Sequence, residues 1–130
     1  MEKITIGATA TVSTVVNEHN TAKSVGSGSL EVFATPLMAA LMEQAACACL
    51  TGCLAEGQTS VGTRISVAHT AATPLGVAIT ATATIEAVSG RRIDFVVTAS
   101  DTAGEIGRGA HTRVIVDSGR FMDKLRERFF

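Results

Sequence analysis

Apolar residues alternate with polar ones over residues 3–16, run almost unbroken from Leu37 to Leu50, and return to a period of two from Ser60 to Asp117. Alternation places one face of a strand against a core, whereas a nearly continuous apolar run of this length opening on Thr35-Pro36 reads as a helix. A threonine before proline is a good helix start, because the hydroxyl can accept an orphan backbone N–H and proline has none to offer. The pattern therefore predicts a strand over 3–16 with a break near Gly7, a polar loop over 17–29 and a helix over 35–54. Further strands are expected over 60–73, 77–88, 91–101 and 105–117, joined by turns at Pro74-Leu75-Gly76, Ser89-Gly90 and Thr102-Ala103-Gly104. Phe121, Met122, Leu125 and Phe129 recur at helical spacing in the tail 118–130, which predicts a short amphipathic helix.

A helix apolar on all sides is expected to be buried on all sides. The long strands each have one apolar face that needs cover, and only the 35–54 helix can supply it. A curved antiparallel sheet of about five strands around one central helix is the hot-dog architecture, an α+β fold, here in a single domain spanning 1–130. On the strand after the helix, Val61, Thr63, Ile65, Val67 and His69 are expected to share one face. One curled sheet leaves an edge, and the 77–88 strand carries no proline or lysine to blunt it, so edge-to-edge pairing in a homodimer is expected.

Composition narrows the partners. Among 130 residues there is no Trp or Tyr and only five Phe, so the core must be built from Val, Ile, Leu and many Ala. A net charge of −1 without a basic block gives no footprint for nucleic acid or an anionic membrane. The apolar run falls short of the ~20 residues that span a bilayer. The N-terminus alternates rather than forming a signal-peptide core, which points to a cytoplasmic protein. Cys47, Cys49 and Cys53 match no zinc spacing and are expected to act as small buried apolar side chains. No metal or cofactor is called for.

Three polar groups interrupt apolar contexts: Thr35 at the helix start, Glu43 inside it and His69 on the following strand. A buried carboxylate costs desolvation energy and needs a partner, a proton or a task, so its replacement by alanine is expected to relieve strain. Taken singly, Thr35 is an N-cap and His69 a histidine satisfied by one hydrogen bond. Together, a hydroxyl, a carboxylate and an imidazole are the usual parts of acyl transfer. A straight helix separates residues 35 and 43 by ~12 Å along its axis. Either the chain bends back at Thr35-Pro36, or the two groups act from different subunits.

The blocks EVFATPLMAALMEQAAC, VGTRISVAHTAATPLG, GRRI and EIGRGAHTRVIV occur in that order from Glu31 to the last strand. With that order and spacing, the chain resembles the fluoroacetyl-CoA thioesterase-like family of hot-dog enzymes. The resemblance implies hydrolysis of a short-chain acyl-CoA thioester without a cofactor, in a homodimer with sites at the subunit interface. It places catalytic roles on Thr35, Glu43 and His69 and an acyl-binding role on Gly62. It also sets Arg113 near the site, against either CoA phosphates or an interface carboxylate. Gly62 could equally mark a strand bulge. Phe33, in the first block, is the aromatic residue nearest the segment Thr21–Leu30, where the family's fluoroacetyl-specific member is thought to carry a phenylalanine lid. That segment has no aromatic residue and two glycines, Gly26 and Gly28, so a mobile, wet loop is expected. A non-catalytic acyl-CoA or small-acyl binding protein and a hot-dog dehydratase are the competing functions.

Overall fold

The computed structural model describes all 130 residues. It contains β1 (Thr9–Val15), α1 (Ala22–Val25), α2 (Thr35–Cys49), β2 (Gln58–His69), β3 (Ala78–Ser89), β4 (Arg92–Asp101), β5 (Gly104–Asp117) and α3 (Ser118–Phe129). The five strands form one antiparallel sheet in the order β1-β3-β4-β5-β2. Helix α2 lies across its concave face, giving the hot-dog fold expected from the sequence. From β3 the sheet buries Ile79, Ala81, Ala83 and Ile85, and from β4 it buries Ile93, Phe95, Val97 and Ala99. From α2 come Met38, Leu41, Met42, Ala45 and Ala46. Each large apolar side chain removed from water contributes about 1.5–3 kcal/mol before entropy is set against it.

Alanine and glycine control how closely the two layers approach. A Cβ on Gly107 would stand 2.7 Å from the sulfur of Met38 and 2.7 Å from the Ala68 carbonyl oxygen. On Gly109 it would run into the Ser66 carbonyl. The glycines of the EIGRGAH block therefore let β5 lie close against β2 and let α2 settle through Met38.

Several sequence expectations are corrected. Helix α2 stops at Cys49 rather than Leu54, and a run of turns containing Gly52 and Gly57, both at φ near +80°, leads into β2. Its N-cap is Ala34, with Thr35 already inside the first turn, so the Thr35 hydroxyl does not cap the helix. The helix is not buried on all sides: Pro36, Gln44 and Cys47 are exposed along one stripe, and Ala40 is half-buried. Cys47 is thus an exposed thiol, and all three cysteines are unpaired.

In β2 the register slips between Gly62 and Arg64, leaving Thr63 as an extra residue. The bulge divides the expected face: Ser60 and Gly62 point inward with Ile65, Val67 and His69, while Val61 does not. The edges of the sheet are β1 and β2, because β3, the strand expected at the edge, runs between β1 and β4. The 17–29 segment contains α1, capped reciprocally by Thr21 and Ser24, and backbone bonds from Ala22 to Val32 and from Lys23 to Leu30 close it. The tail forms α3 as expected, with every residue from Gly119 to Phe129 exposed.

The seating of α2 on β5 has a direct test. Gly107→Ala should lower stability in urea unfolding by about 1–3 kcal/mol, the usual cost of overpacking. An unchanged transition would show that the layers can part without cost.

Candidate active site

The polar residues singled out in the sequence fall into two groups on the inner surface. The first joins the start of α2 to the end of β2. Thr35 Oγ1 and His69 Nδ1 are hydrogen-bonded at 2.8 Å. Because Ala34 rather than Thr35 occupies the cap, the hydroxyl is free for this contact. His69 Nε2 is buried without a hydrogen-bond partner. Burial pushes the imidazole below the ordinary histidine value of 6.5, with the Ala71 backbone opposing in part. Beside the pair opens a hollow of about 260 Å³, walled by Ala22, Ser27, Val32, Phe33, Ala71 and Ala72. Phe33 is 2 % exposed and forms a fixed wall. The loop that follows His69 is tied to the β4–β5 turn by Thr73, whose buried hydroxyl donates to Asp101 Oδ2 at 2.7 Å. That bond, helped by the backbone N–H groups of Ala103 and Gly104, holds the Asp101 carboxyl below its ordinary value.

The second group surrounds Glu43, in the middle of α2. Its Oε2 lies 3.4 Å from Arg113 Nη1 and 3.9 Å from His111 Nε2. A Cβ on Gly62 would stand 2.8 Å from Glu43 Oε2 and 3.2 Å from Arg113 Nη1, so a larger residue there would displace the carboxylate from where it stands. Gly62 is both this open position and the start of the bulge.

Arg113 is nearly buried, and Ser60 takes two of its bonds: Nε donates to Ser60 Oγ at 2.8 Å and Nη2 to the Ser60 carbonyl at 3.0 Å. Of the two partners foreseen for Arg113, the fold supplies a carboxylate, from its own chain. Glu43 is consequently not a lone charge in an apolar helix. Its removal would leave Arg113 with fewer acceptors, so alanine there relieves no strain.

Glu43 has no hydrogen bond to Thr35 or His69 within the chain, and helix geometry keeps residues 35 and 43 ~12 Å apart along the axis. The helix starts at Thr35 without bending back. Sequence reasoning missed Ser60 and His111. Ser60 carries no distinguishing pattern, but His111 was legible as a polar residue two positions from Arg113 on the inward face of an apolar strand. No three His, Cys, Asp or Glu side chains gather as a set of metal ligands. No helix is long and apolar enough to cross a membrane.

The family model for FlK, the fluoroacetyl-CoA-specific thioesterase, matches residues 16–119. The chain belongs to the FlK family. It is 44% identical over 98 residues to the fluoroacetyl-CoA thioesterase of Streptantibioticus cattleyicolor, an alignment covering 75% of this chain and 70% of that protein. A crystal structure of a phenylalanine-to-alanine mutant of FlK superposes with a TM-score of 0.92 at 36% identity, covering 98% of this chain and 99% of the other. A thioesterase superfamily member from Thermus thermophilus gives 0.89 at 28% identity, covering 99% and 98%. The FlK match includes every residue of the two polar groups described above.

The state of His69 sets a pH test. A half-buried imidazole with a lowered value takes up its proton at lower pH than the same residue in the unfolded chain. Between the folded value and 6.5 the unfolded state therefore binds more protons, and stability rises with pH. The stabilisation from neutral His69 is complete above this window and is lost as pH falls through it. Proton NMR of the His69 ring should show a midpoint below 6.5. A midpoint at or above that value would show that the ring is hydrated rather than desolvated.

Proposed function

We propose that this protein hydrolyses a short-chain acyl-CoA thioester to the free acid and CoA in a cytoplasmic setting, with Thr35, Glu43 and His69 as catalytic residues. The observation that carries the reading is the Thr35–His69 bond of 2.8 Å at the wall of an acyl-sized hollow, a hydroxyl held on a neutral imidazole. A thioester carbonyl is already activated toward attack, so positioned oxygen and proton-transfer groups are sufficient machinery. Glu43, with Arg113 beside it, either takes a proton from the water that attacks the carbonyl carbon, or attacks that carbon itself to give an acyl-glutamyl anhydride that water then hydrolyses. Gly62 leaves the acyl group space to approach the backbone, and Phe33 bounds it. As the C–S bond breaks, the Thr35–His69 pair relays a proton toward the departing sulfur. The water oxygen ends in the new carboxylate, one of its protons on the CoA thiol and the other in solvent.

The working unit is a homodimer in which each site takes Glu43 from one subunit and Thr35 with His69 from the other. Three features support this: the separation of the two groups in one chain, the free outer edge of β2, and the exposed stripe of Pro36, Gln44 and Cys47 on α2. The solved FlK structures include one in complex with fluoroacetate and CoA, which covers 90% of this chain at 38% identity.

The test is thiol release from a panel of acyl-CoA thioesters. Thr35→Ala and Glu43→Gln should each cost at least about a hundredfold in kcat, the scale of losing an acid–base group. Mixing the two inactive variants under subunit exchange should restore activity, because a hybrid dimer carries one intact site. No recovery despite exchange would place both residues in the same subunit's site. No turnover by the unmutated protein on any member of the panel would leave the binding-protein reading.

The acyl pocket predicts weak fluorine selectivity. The segment over the hollow, Thr21–Leu30, offers Ala22 and Ser27 to it and holds no aromatic ring. Nothing in that segment can press a rigid apolar wall on a C–F bond. The kcat/KM values for fluoroacetyl-CoA and acetyl-CoA should differ by less than about a hundredfold. A preference of several thousandfold would locate the selectivity elsewhere.

A further inference from the structure

Arg113 is one of few charged side chains drawn into the inner surface, and what fixes it decides where Glu43 stands. Its Nε and Nη2 are bound by Ser60, which holds one edge of the rigid planar guanidinium; what remains free is a tilt about that edge, and such a tilt swings the Nη1 arm that meets the carboxylate. That arm lies 3.2 Å from Nε2 of His111. His111 is 2 % exposed, stacks against Phe95 with ring centroids 6.0 Å apart, and places Nδ1 2.7 Å from the Arg64 carbonyl oxygen.

These contacts determine the protonation of the ring. A carbonyl oxygen can only accept, so Nδ1 carries the hydrogen and donates to Arg64. A guanidinium can only donate, so Nε2 must present a lone pair to Arg113. Only the neutral Nδ1–H tautomer satisfies both partners. Protonated, the ring would turn an N–H on the guanidinium; in the other tautomer both contacts would fail.

We infer that His111 is a positioning residue: through a tautomer set by the Arg64 carbonyl, it holds the Nη1 arm of Arg113 on Glu43. Arg64 adjoins the β2 bulge, so the same ring connects the bulge beside Gly62 to the carboxylate. The catalytic consequence rests on the thioesterase reading, but the geometry does not. A purely structural role is the alternative, with the ring bracing the bulge through its bond to Arg64.

Two substitutions separate these roles, because asparagine reproduces the Nδ1 position and glutamine reaches the Nε2 position. His111→Gln keeps an acceptor for Arg113 and should retain kcat within about threefold. His111→Asn keeps the donor to Arg64 but removes the acceptor that limits the tilt of the guanidinium and so the swing of Nη1. It should lower kcat by about ten- to a hundredfold with KM nearly unchanged, the scale of a sub-ångström to ångström misplacement. A structural brace predicts the opposite order. In an Arg113→Lys background the asparagine substitution should lose most of its effect, since the held arm is gone. Long-range proton–nitrogen NMR of the unmutated protein tests the geometry without activity or altered folding. It should show a protonated Nδ1 and a bare Nε2 on His111. A protonated Nε2 would overturn the inference, whether or not acyl-CoA is hydrolysed.

Discussion

The close seating of one apolar helix in a curved sheet is the constraint on which the other features depend. Facing layers normally need ~10 Å between them, set by side-chain size. Here Ala45 and Ala46 on α2 meet a sheet lined with Ala81, Ala83 and Ala99, and Gly107 gives Met38 a place to rest. Small residues at the contact let a helix carrying a carboxylate lie near a strand carrying an arginine, with a glycine opening the space between. With bulkier residues at these positions, Glu43 would stand away from Arg113 and Gly62.

Much of this could be read from the chain. The two-residue period marked β3, β4 and β5 to within a residue or two. Errors arose where local pattern gave way to backbone geometry. Thr35 carries the chemistry of an N-cap, yet Ala34 occupies that position without a side-chain bond, because the hydroxyl is engaged by His69 thirty-four residues away. Leu50 to Leu54 are apolar enough to continue α2, but Gly52 breaks the helix with a left-handed turn. Thr63 alternates correctly in the sequence and is nonetheless an extra residue. A bulge leaves the hydrophobic count unchanged and alters only which residues lie opposite.

The candidate site was suggested by the sequence in its proposed members rather than in its arrangement. Thr35, Glu43 and His69 stood out as polar groups among apolar ones, and Gly62 and Arg113 followed from resemblance. Which of them touch was not available, because contacts across strands depend on register, and register here depends on the bulge. Hence the sequence left open whether Thr35 and Glu43 meet within one subunit, and one chain places them in two separate groups. Ser60 and His111, which orient Arg113, belong to the class of residues that touch a functional group without performing its chemistry. Such residues are ordinary by type and are recognised only once their neighbours are known.

The bulge has a further consequence. Gly62 and His69 lie seven positions apart, an odd interval, and on a regular strand would face opposite sides of the sheet. The added residue at Thr63 restores them to one side, so both reach the inner surface where the helix waits. The number of residues between glycine and histidine is therefore part of the site, as much as their identity. Deleting one residue from this segment would leave every functional group in the chain and deliver half of them to the wrong face. In this strand, counting carries chemical information.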